Sequence, residues 1–317
     1  METVLYRYNP WWTGAMGESS GIARPLAEKE LYGQLENNQV IFITGLRRIG
    51  KTTLMKMAIH RLIRDSVTDG AHILYVSLDD YQLQKQSIMD IVEEFRKINK
   101  LKFAEHVYLF LDEVTYKDDY ELQLKNLVDA QKVKIIASAS SASLLKSKKA
   151  YLTGRHFDME VNPLTFSEYL VFKGITILPQ DAGLKEQYFE DFLKTGGIPA
   201  HVLTGNPDYL RELVDDIIYK DIAVNQQVRD VRVLKEFFLL LMERAGKQFS
   251  INKIANVLQL SPDTARRYRP LFRHLPYPPA EPAWQDQRKD TLPKKDLCSR
   301  YRDPMPVYRI PRQREPV

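Results

Sequence analysis

Short apolar runs alternate with longer amphipathic segments in the first half of the chain. Four of these runs are rich in β-branched residues, and they span Val40 to Thr44, Ile73 to Leu78, Val107 to Leu111 and Val133 to Ser138. Near-continuous apolar strands separated by helices are typical of a parallel sheet that is covered on both faces. The pattern therefore predicts an α/β core built on a parallel sheet.

After Pro163 the strand signals fade and helical periodicity takes over. Helices are predicted over Leu184 to Leu193, Tyr209 to Ile222 and Val231 to Ala245. A helix-turn-helix pattern follows, in which Ser250 and Ser261 are candidate N-caps and Pro262 is the first residue of the second helix. We therefore expect a helical lid and then a partial winged-helix unit.

The two ends of the chain differ from its middle. Tyr6 to Trp12 is aromatic-rich and contains a proline, which predicts an extended arm that packs on a neighbouring surface. From about Arg269 prolines recur, glycine is absent and periodicity is lost, which favours either a disordered tail or translation from a shifted reading frame. The predicted domains are an N-terminal arm (1–39), a core (40–163), a helical lid (164–225), a winged-helix-like unit (226–275) and an irregular tail (276–317).

Composition narrows the possible classes of protein. The longest apolar stretch of the 317 residues, Phe237 to Met242, is far shorter than the roughly 20 residues of a membrane-spanning helix, and no signal pattern opens the chain. We therefore expect a cytoplasmic protein that does not contact membranes. The single cysteine, Cys298, cannot form an internal disulfide, and the six histidines lack metal-ligand spacing. A net charge of +5 suits an anionic partner without identifying it.

A glycine-rich loop follows the first predicted strand directly and reads G-L-R-R-I-G-K-T-T. Its two glycines permit a tight turn whose backbone N–H groups converge on a phosphate at a helix N-terminus. Lys51 is then placed to meet the β- and γ-phosphates, and the Thr52 hydroxyl is placed to reach Mg²⁺. The expected ligands are ATP and magnesium, and the candidate binding residues are Gly45, Leu46, Arg47, Arg48, Ile49, Gly50, Lys51, Thr52 and Thr53.

Two carboxylates end the third predicted strand. Asp112 follows the apolar run directly and is expected to reach the same Mg²⁺, often through water. Glu113 comes next and is placed to polarise an attacking water, which makes it the candidate general base.

The fourth strand and the segment after it supply two further candidates. Ser138 and Ser140 end the strand at the edge where phosphates bind, and either can sense the γ-phosphate or simply cap the strand, with Ser138 slightly favoured. Arg155 follows Gly154 and can stabilise a transferring phosphoryl group, the alternative being an ordinary surface salt bridge.

These motifs together resemble the archaeal and bacterial ATPases of the AAA superfamily. The likeness covers most of Tyr6 to about Tyr268 and includes R-Y-N-P-W-W, G-L-R-R-I-G-K-T-T, F-L-D-E-V, L-T-G-R, N-P-L-T-F-S-E-Y and G-G-I-P. It implies a P-loop core of the AAA type followed by a helical lid and a winged helix. In this chain the fourth strand ends Ser-Ala-Ser-Ser where the family usually has Thr-Gly-Ser-Ser. The family's nuclease-like C-terminal domain is not expected here.

The resemblance also implies ATP hydrolysis, assigned to Lys51, Thr52, Asp112 and Glu113, with Arg155 contacting the nucleotide. The leading hypothesis is an ATPase, in monomeric or homo-oligomeric form, that couples hydrolysis to movement of a partner. The alternative is a nucleotide-dependent DNA-binding switch in which Arg266 and Arg267 contact phosphates. A small-molecule kinase shares the P-loop but usually lacks both the carboxylate pair and the helix-turn-helix.

Overall fold

The computed structural model of the chain describes residues 1–15, 21–130, 132–140, 152, 154–223, 230–243, 250–268 and 271. The chain divides into two compact units, Met1–Val161 and Asn162–Val317. The predicted irregular tail, residues 276–317, lies outside the described residues, as does Cys298.

The first unit is built on one parallel sheet, which confirms the predicted α/β core. Its five strands are β1 (Val40–Gly45), β2 (Ile73–Ser77), β3 (Val107–Asp112), β4 (Val133–Ser140) and β5 (His156–Val161). Their order in the sheet is β2-β3-β4-β1-β5, and every neighbouring pair is parallel. The crossover order places the carboxyl ends of β1, β3 and β4 side by side, so the candidate residues that end or follow these three strands come together at one edge of the sheet.

The described residues of this unit form five α-helices: α1 (Glu2–Tyr8), α2 (Pro25–Gly33), α3 (Lys51–Arg64), α4 (Ile88–Ile98) and α5 (Tyr120–Ala130). Short 3-10 turns lie at Pro10–Thr13, Gly70–His72, Tyr81–Leu83 and Val114–Tyr116. The start of α4 is fixed by a capping box in which Ser87 and Asp90 exchange side-chain to backbone hydrogen bonds. Fully buried aromatic rings of Phe42, Phe95 and Phe110 fill the core, and burying each contributes about 2 kcal/mol.

The N-terminal arm packs on the core as predicted, but it is helical rather than extended. It comprises α1 and the 3-10 turn, so it runs over Glu2–Thr13. Trp12 stacks on Phe95 with ring centroids 5.5 Å apart, and its indole Nε1 donates to the Ile73 carbonyl at 2.9 Å. The proline that suggested an extended segment instead opens the 3-10 turn, where its missing N–H group costs nothing.

The arm covers the free edge of β2, which has no strand neighbour on that side among the described residues. Asn9 is wholly buried, donates from Nδ2 to the Tyr75 carbonyl at 2.9 Å, and accepts from the Tyr75 N–H at 2.6 Å. One asparagine side chain thereby satisfies both backbone groups of an edge residue, as a neighbouring strand would.

The described part of the second unit is helical. Its helices are α6 (Phe166–Phe172), α7 (Leu184–Thr195), α8 (Pro199–Thr204), α9 (Pro207–Asp216), a π-helix (Ile217–Ala223), α10 (Val231–Glu243), α11 (Ile251–Val257) and α12 (Pro262–Tyr268), with a 3-10 turn at Pro179–Asp181. A capping box between Thr165 and Glu168 begins α6. Among the described residues, no helix is both long enough and apolar enough to cross a bilayer.

The predicted helix pair is present as α11 and α12. Ser261 caps α12, since its Oγ accepts from the Thr264 N–H at 3.1 Å, and Pro262 is the first helical residue. Ser250 precedes α11, but its side chain forms no capping hydrogen bond. The winged-helix assignment and the boundaries of the domains stay predictions.

Candidate functional site

The glycine-rich loop joins β1 to α3 at the carboxyl end of the sheet. A side chain at Gly45 would place its Cβ only 2.5 Å from the Val161 carbonyl oxygen, and the φ of 147° suits glycine alone. Gly50 has a φ of 100° and directly precedes the first turn of α3. Both glycines are therefore required by the loop conformation, as the motif predicts.

The side chains of the loop have two kinds of environment. Leu46 and Ile49 are buried and anchor the loop to the core. Arg47 is half-buried, whereas Arg48 is exposed and adopts a φ of 62°. Thr53 is exposed on the first turn of α3. Two buried side chains thus anchor the loop to the core, and its more exposed residues lie where a ligand can reach them.

Lys51 is buried at the start of α3, and its ammonium group is turned back over the loop. Its Nζ donates to the carbonyls of Leu46 at 3.0 Å and Gly45 at 3.3 Å. Phosphate oxygens of a bound nucleotide can replace these neutral acceptors with stronger, charge-assisted ones.

Asp112 is the centre of a hydrogen-bond network that joins three strands and a helix. The Thr52 hydroxyl donates to its Oδ2 at 2.6 Å, and the Tyr75 hydroxyl donates to the same oxygen at 3.0 Å. The Ser138 hydroxyl donates to its Oδ1. Asp112 itself is only 2% exposed. The two residues predicted to reach magnesium, Thr52 and Asp112, are therefore in direct contact.

Glu113 lies one residue beyond the strand in a left-handed conformation, with φ 53° and ψ 47°. This conformation is uncommon for a glutamate and turns the chain sharply away from the sheet. Burial raises the pKa of the Glu113 carboxyl, while nearby Lys51 acts in the opposite direction. A raised pKa makes its carboxylate a better proton acceptor than an ordinary surface glutamate.

Ser138, rather than Ser140, links the Asp112 carboxylate to the backbone of Glu113. The Ser138 oxygen accepts from the Glu113 N–H at 3.0 Å while its own proton goes to Asp112. Ser140 is also buried, and it lies beside Gly45 in the strand register. In the structure Ser138 thus orients Asp112 and the backbone of Glu113, and its predicted role as a γ-phosphate sensor remains a hypothesis.

Arg155 is not brought to this site within its own chain. It immediately precedes β5, and its carbonyl accepts from the N–H of Val40 at the start of β1. The P-loop begins at the far end of β1, five residue steps of about 3.3 Å away, or roughly 17 Å. The Arg155 guanidinium instead pairs with Asp129 at 2.5 Å, with both side chains nearly half exposed. Within its own chain, the Arg155 guanidinium therefore contacts Asp129 at the amino end of the sheet and not the glycine-rich loop.

Sequence reasoning missed two residues that support the site. Tyr75 donates to Asp112 from 37 positions away, and Arg24 donates from its Nη1 to the P-loop carbonyl of Ile49 at 3.3 Å. The Arg24 side chain is buried, although it lies outside every recognised motif. An apolar strand gave no reason to single out one tyrosine, and nothing in the local pattern marks the arginine.

The residues present fit ATP and magnesium. The Thr52 hydroxyl and the Asp112 carboxylate are hard oxygen ligands of the kind that Mg²⁺ prefers. A side chain at Gly45 would collide with the backbone, so the loop keeps its N–H groups at the surface of a phosphate-sized turn. The buried cation of Lys51 supplies the charge that an anionic phosphate requires.

The two candidate DNA contacts lie on α12 in the second unit. Arg266 and Arg267 are both exposed. Arg266 makes an exposed ion pair with Asp263 at 3.3 Å, and Arg267 donates to the Thr264 hydroxyl at 3.5 Å. Exposed partners of this kind are easily exchanged for phosphates.

Two family models match the chain. A model described as an AAA domain matches residues 37–170, which include every candidate residue for nucleotide, magnesium and catalysis. A model described as a domain of unknown function (DUF8612) matches residues 186–285. Residues 37–170 are thus similar to an AAA domain, and the parallel sheet and glycine-rich loop described above fit a P-loop core of that type.

Similar curated proteins include two from Methanocaldococcus jannaschii. Uncharacterized protein MJ1544 is 26% identical over an alignment of 230 residues, and the match covers 70% of this chain and 50% of that protein. Uncharacterized protein MJ1637 is 27% identical over an alignment of 288 residues, and the match covers 80% of this chain and 60% of that protein. The chain thus spans only about half to three fifths of the length of these relatives.

Among solved structures, the Walker-type ATPase PABY2304 of Pyrococcus abyssi is similar to this chain. The sequences are 14% identical, and the match covers 86% of this chain and 90% of the other. The TM-score is 0.45, so this likeness adds no evidence about function.

Proposed function

We propose that this chain, whose residues 37–170 form an AAA-type P-loop domain, is a magnesium-dependent ATP hydrolase. The observation that carries the proposal is the 2.6 Å hydrogen bond between Thr52 and Asp112. It joins the end of the glycine-rich loop to the end of β3, the two elements that must act on one magnesium ion. An AAA-type P-loop core is an ATP-binding fold, and this contact supports the proposal because it brings the two halves of the expected site together.

The backbone N–H groups between Gly45 and Lys51 would hold the β-phosphate, and the Lys51 ammonium group would offset the charge of the β- and γ-oxygens. Thr52 would ligate Mg²⁺ directly, and Asp112 would do so directly or through water. When bound, the ion would neutralise the negative charge that develops on the phosphate oxygens during the reaction.

Glu113 would act on the attacking water. As the water oxygen bonds to the γ-phosphorus, the carboxylate takes one of its protons, and the bond between that phosphorus and the bridging oxygen of ADP breaks. The products are ADP and inorganic phosphate. Ser138 holds the Glu113 backbone through a 3.0 Å hydrogen bond, which limits movement of the base.

Arg155 would serve the nucleotide of a second copy of the chain. Its position at the opposite end of β1 from the P-loop supports this arrangement, since it cannot reach its own site without leaving the sheet. Breaking its exposed pair with Asp129 costs little, so the guanidinium can be released to a neighbouring subunit.

Coupling of hydrolysis to a partner is the expected use of such a cycle. We propose that a nucleotide-dependent change moves the helical second unit. This movement would act on a partner molecule. An ATP hydrolase draws on the cytoplasmic ATP pool, and we propose that location for the protein.

The direct test is steady-state release of phosphate from ATP, with and without magnesium. Glu113→Gln should keep ATP bound but slow hydrolysis by about 10²-fold or more, because the amide cannot accept the proton. Asp112→Asn should raise the magnesium concentration needed for activity. Glu93→Gln, an exposed change on α4, is the matched control and should behave as wild type. Normal turnover in both site variants would show that the strand-end carboxylates are structural.

A second candidate function is a nucleotide-dependent DNA-binding switch. The exposure of Arg266 and Arg267 on the second helix of the α11–α12 pair favours it. Replacing both arginines with alanine should flatten the salt dependence of DNA binding by roughly one to two units of log–log slope. Replacing Arg211 and Arg232, which are exposed outside this helix pair, is the control. If the chain does not bind DNA at about 50 mM salt, the helix pair is better explained as a docking surface for a protein.

A further inference from the structure

Three hydroxyl groups donate hydrogen bonds to Asp112, and only two of them belong to predicted motif positions. Thr52 lies in the glycine-rich loop, and Ser138 ends β4. The third is Tyr75, whose hydroxyl shares Oδ2 of Asp112 with Thr52 at distances of 3.0 and 2.6 Å. Because donors bond both carboxylate oxygens, two of them on Oδ2 and one on Oδ1, the orientation of the carboxylate is set before any ion binds.

Tyr75 is itself held by contacts to both its backbone and its ring. The side chain of Asn9 bonds both its N–H and its carbonyl, at 2.6 and 2.9 Å. The Tyr8 ring meets its ring edge to face at 5.8 Å, and the Lys56 ammonium group lies 5.5 Å from its ring centroid. Tyr75 is only 3% exposed. Its hydroxyl is therefore delivered to Asp112 by a rigid support.

We propose that Tyr75 is a positioning residue for the magnesium site, acting through Asp112 and held in place by the N-terminal arm, Glu2–Thr13. The inference rests on the proposed function, since it assigns a part in the same site. Mg²⁺ demands near-octahedral geometry and keeps several waters, so a carboxylate that can rotate binds it less well. Residues that orient a ligand in this way typically change metal affinity by roughly 10- to 100-fold when they are removed.

The variant Tyr75→Phe tests this role because it deletes only the hydroxyl and keeps the ring that packs against Tyr8 and Lys56. We expect the magnesium concentration for half-maximal hydrolysis to rise by about 10-fold. Two further measurements should stay at wild-type values: binding of a fluorescent ATP analogue in EDTA, and the thermal unfolding midpoint of the ligand-free chain to within about 5 °C.

Tyr108→Phe is the matched control. It makes the same chemical change on the adjacent strand β3, near the amino end of the sheet, where Tyr108 lies beside Ile73 in the register. This variant should leave the magnesium dependence unchanged. If Tyr75 had only a structural role, Tyr75→Phe would lower the thermal unfolding midpoint and the affinity for the ATP analogue in EDTA. It would not selectively raise the magnesium concentration needed for half-maximal hydrolysis.

An unchanged magnesium titration in Tyr75→Phe would overturn the inference. So would a loss of nucleotide affinity in EDTA as large as the shift in the magnesium titration. The proposed function fails in a different way, if the wild-type chain shows no magnesium-stimulated hydrolysis at all. In that case the magnesium dependence of analogue binding still tests Tyr75, because it needs no turnover. A shift in that titration for Tyr75→Phe alone would support its positioning role.

Discussion

Two buried lysines lie at opposite ends of the sheet, and their surroundings differ. At the amino end, Lys134 near the start of β4 has its Nζ within 2.6 to 2.9 Å of four oxygens, from Gln34, Asn37 and Gln39. At the carboxyl end, the contacts of Lys51 with Gly45 and Leu46 are longer, at 3.3 and 3.0 Å.

The difference shows how a buried cation can be committed to structure or kept for a ligand. Lys134 ties the segment before β1 to β4 with acceptors that come from another part of the chain. The Lys51 Nζ donates to carbonyls of its own loop, and phosphate oxygens can replace these neutral acceptors with stronger, charge-assisted ones. Lys134 should therefore matter to stability, and Lys51 to nucleotide binding.

The largest effect is expected for Lys51→Ala. Loss of the charge-assisted bonds to phosphate should weaken ATP binding by roughly 10²-fold or more, about 3 kcal/mol, while the chain stays folded. Titration with a fluorescent ATP analogue measures the loss. Lys97→Ala, an exposed change on α4, should bind as wild type. Wild-type affinity in Lys51→Ala would remove the basis for the nucleotide site.

Lys134→Met should have the opposite profile. The apolar side chain removes the Lys134 donor from the backbone carbonyls of Gln34, Asn37 and Gln39, and we expect the free energy of unfolding to fall by about 2 to 3 kcal/mol. Urea unfolding measures this change, and ATP affinity should stay within about 2-fold of wild type. Lys132→Met, at an exposed position two residues earlier, is the control. If Lys134→Met lost ATP binding without losing stability, the contrast between the two lysines would be wrong.

The pH dependence sharpens this prediction. Burial lowers the pKa of Lys134 from 10.5 to about 8. Between these values the unfolded chain retains a proton that the folded chain has released, so stability rises with pH. The advantage of wild type over Lys134→Met should therefore grow above about pH 8. A flat difference in unfolding free energy from pH 7 to 10 would contradict the lowered pKa.

The smallest effect on stability is expected for Arg155→Ala at the amino end. Its pair with Asp129 is nearly half exposed, so the free energy of unfolding should change by less than about 1 kcal/mol. Hydrolysis is a separate readout. If Arg155 serves a neighbouring chain, specific activity should rise with protein concentration, and inactive Arg155→Ala and Glu113→Gln chains should partly rescue each other when mixed. Concentration-independent turnover without rescue would confine Arg155 to the surface pair.

The sequence predicts β1 to β4 well because each is a nearly continuous apolar run. It does not predict β5, because this strand carries the exposed residues Asp158 and Glu160 and has no such run. That omission also hid the position of Arg155, because only the pairing of β5 with β1 shows which end of the sheet it occupies.

The motif residues of the site were predictable because a glycine-rich loop and a strand-end carboxylate have fixed local geometry. The contact between Thr52 and Asp112 follows once β1, which leads into the glycine-rich loop, and β3, which ends at Asp112, lie in the same sheet. Tyr75 and Arg24 were not predictable in this way. Their roles arise from contacts made at long range across the fold, which no local spacing encodes.

The arm that holds Tyr75 has a second effect, on how molecules of this protein meet one another. An uncovered edge strand presents unpaired N–H and C=O groups, and it readily recruits strands from other chains into aggregates. Here the carbonyl of Ile73 is taken by the indole of Trp12, and both backbone groups of Tyr75 are taken by Asn9. The arm thus protects the edge of the sheet from pairing with strands of other chains. We expect a chain without the arm to aggregate more readily.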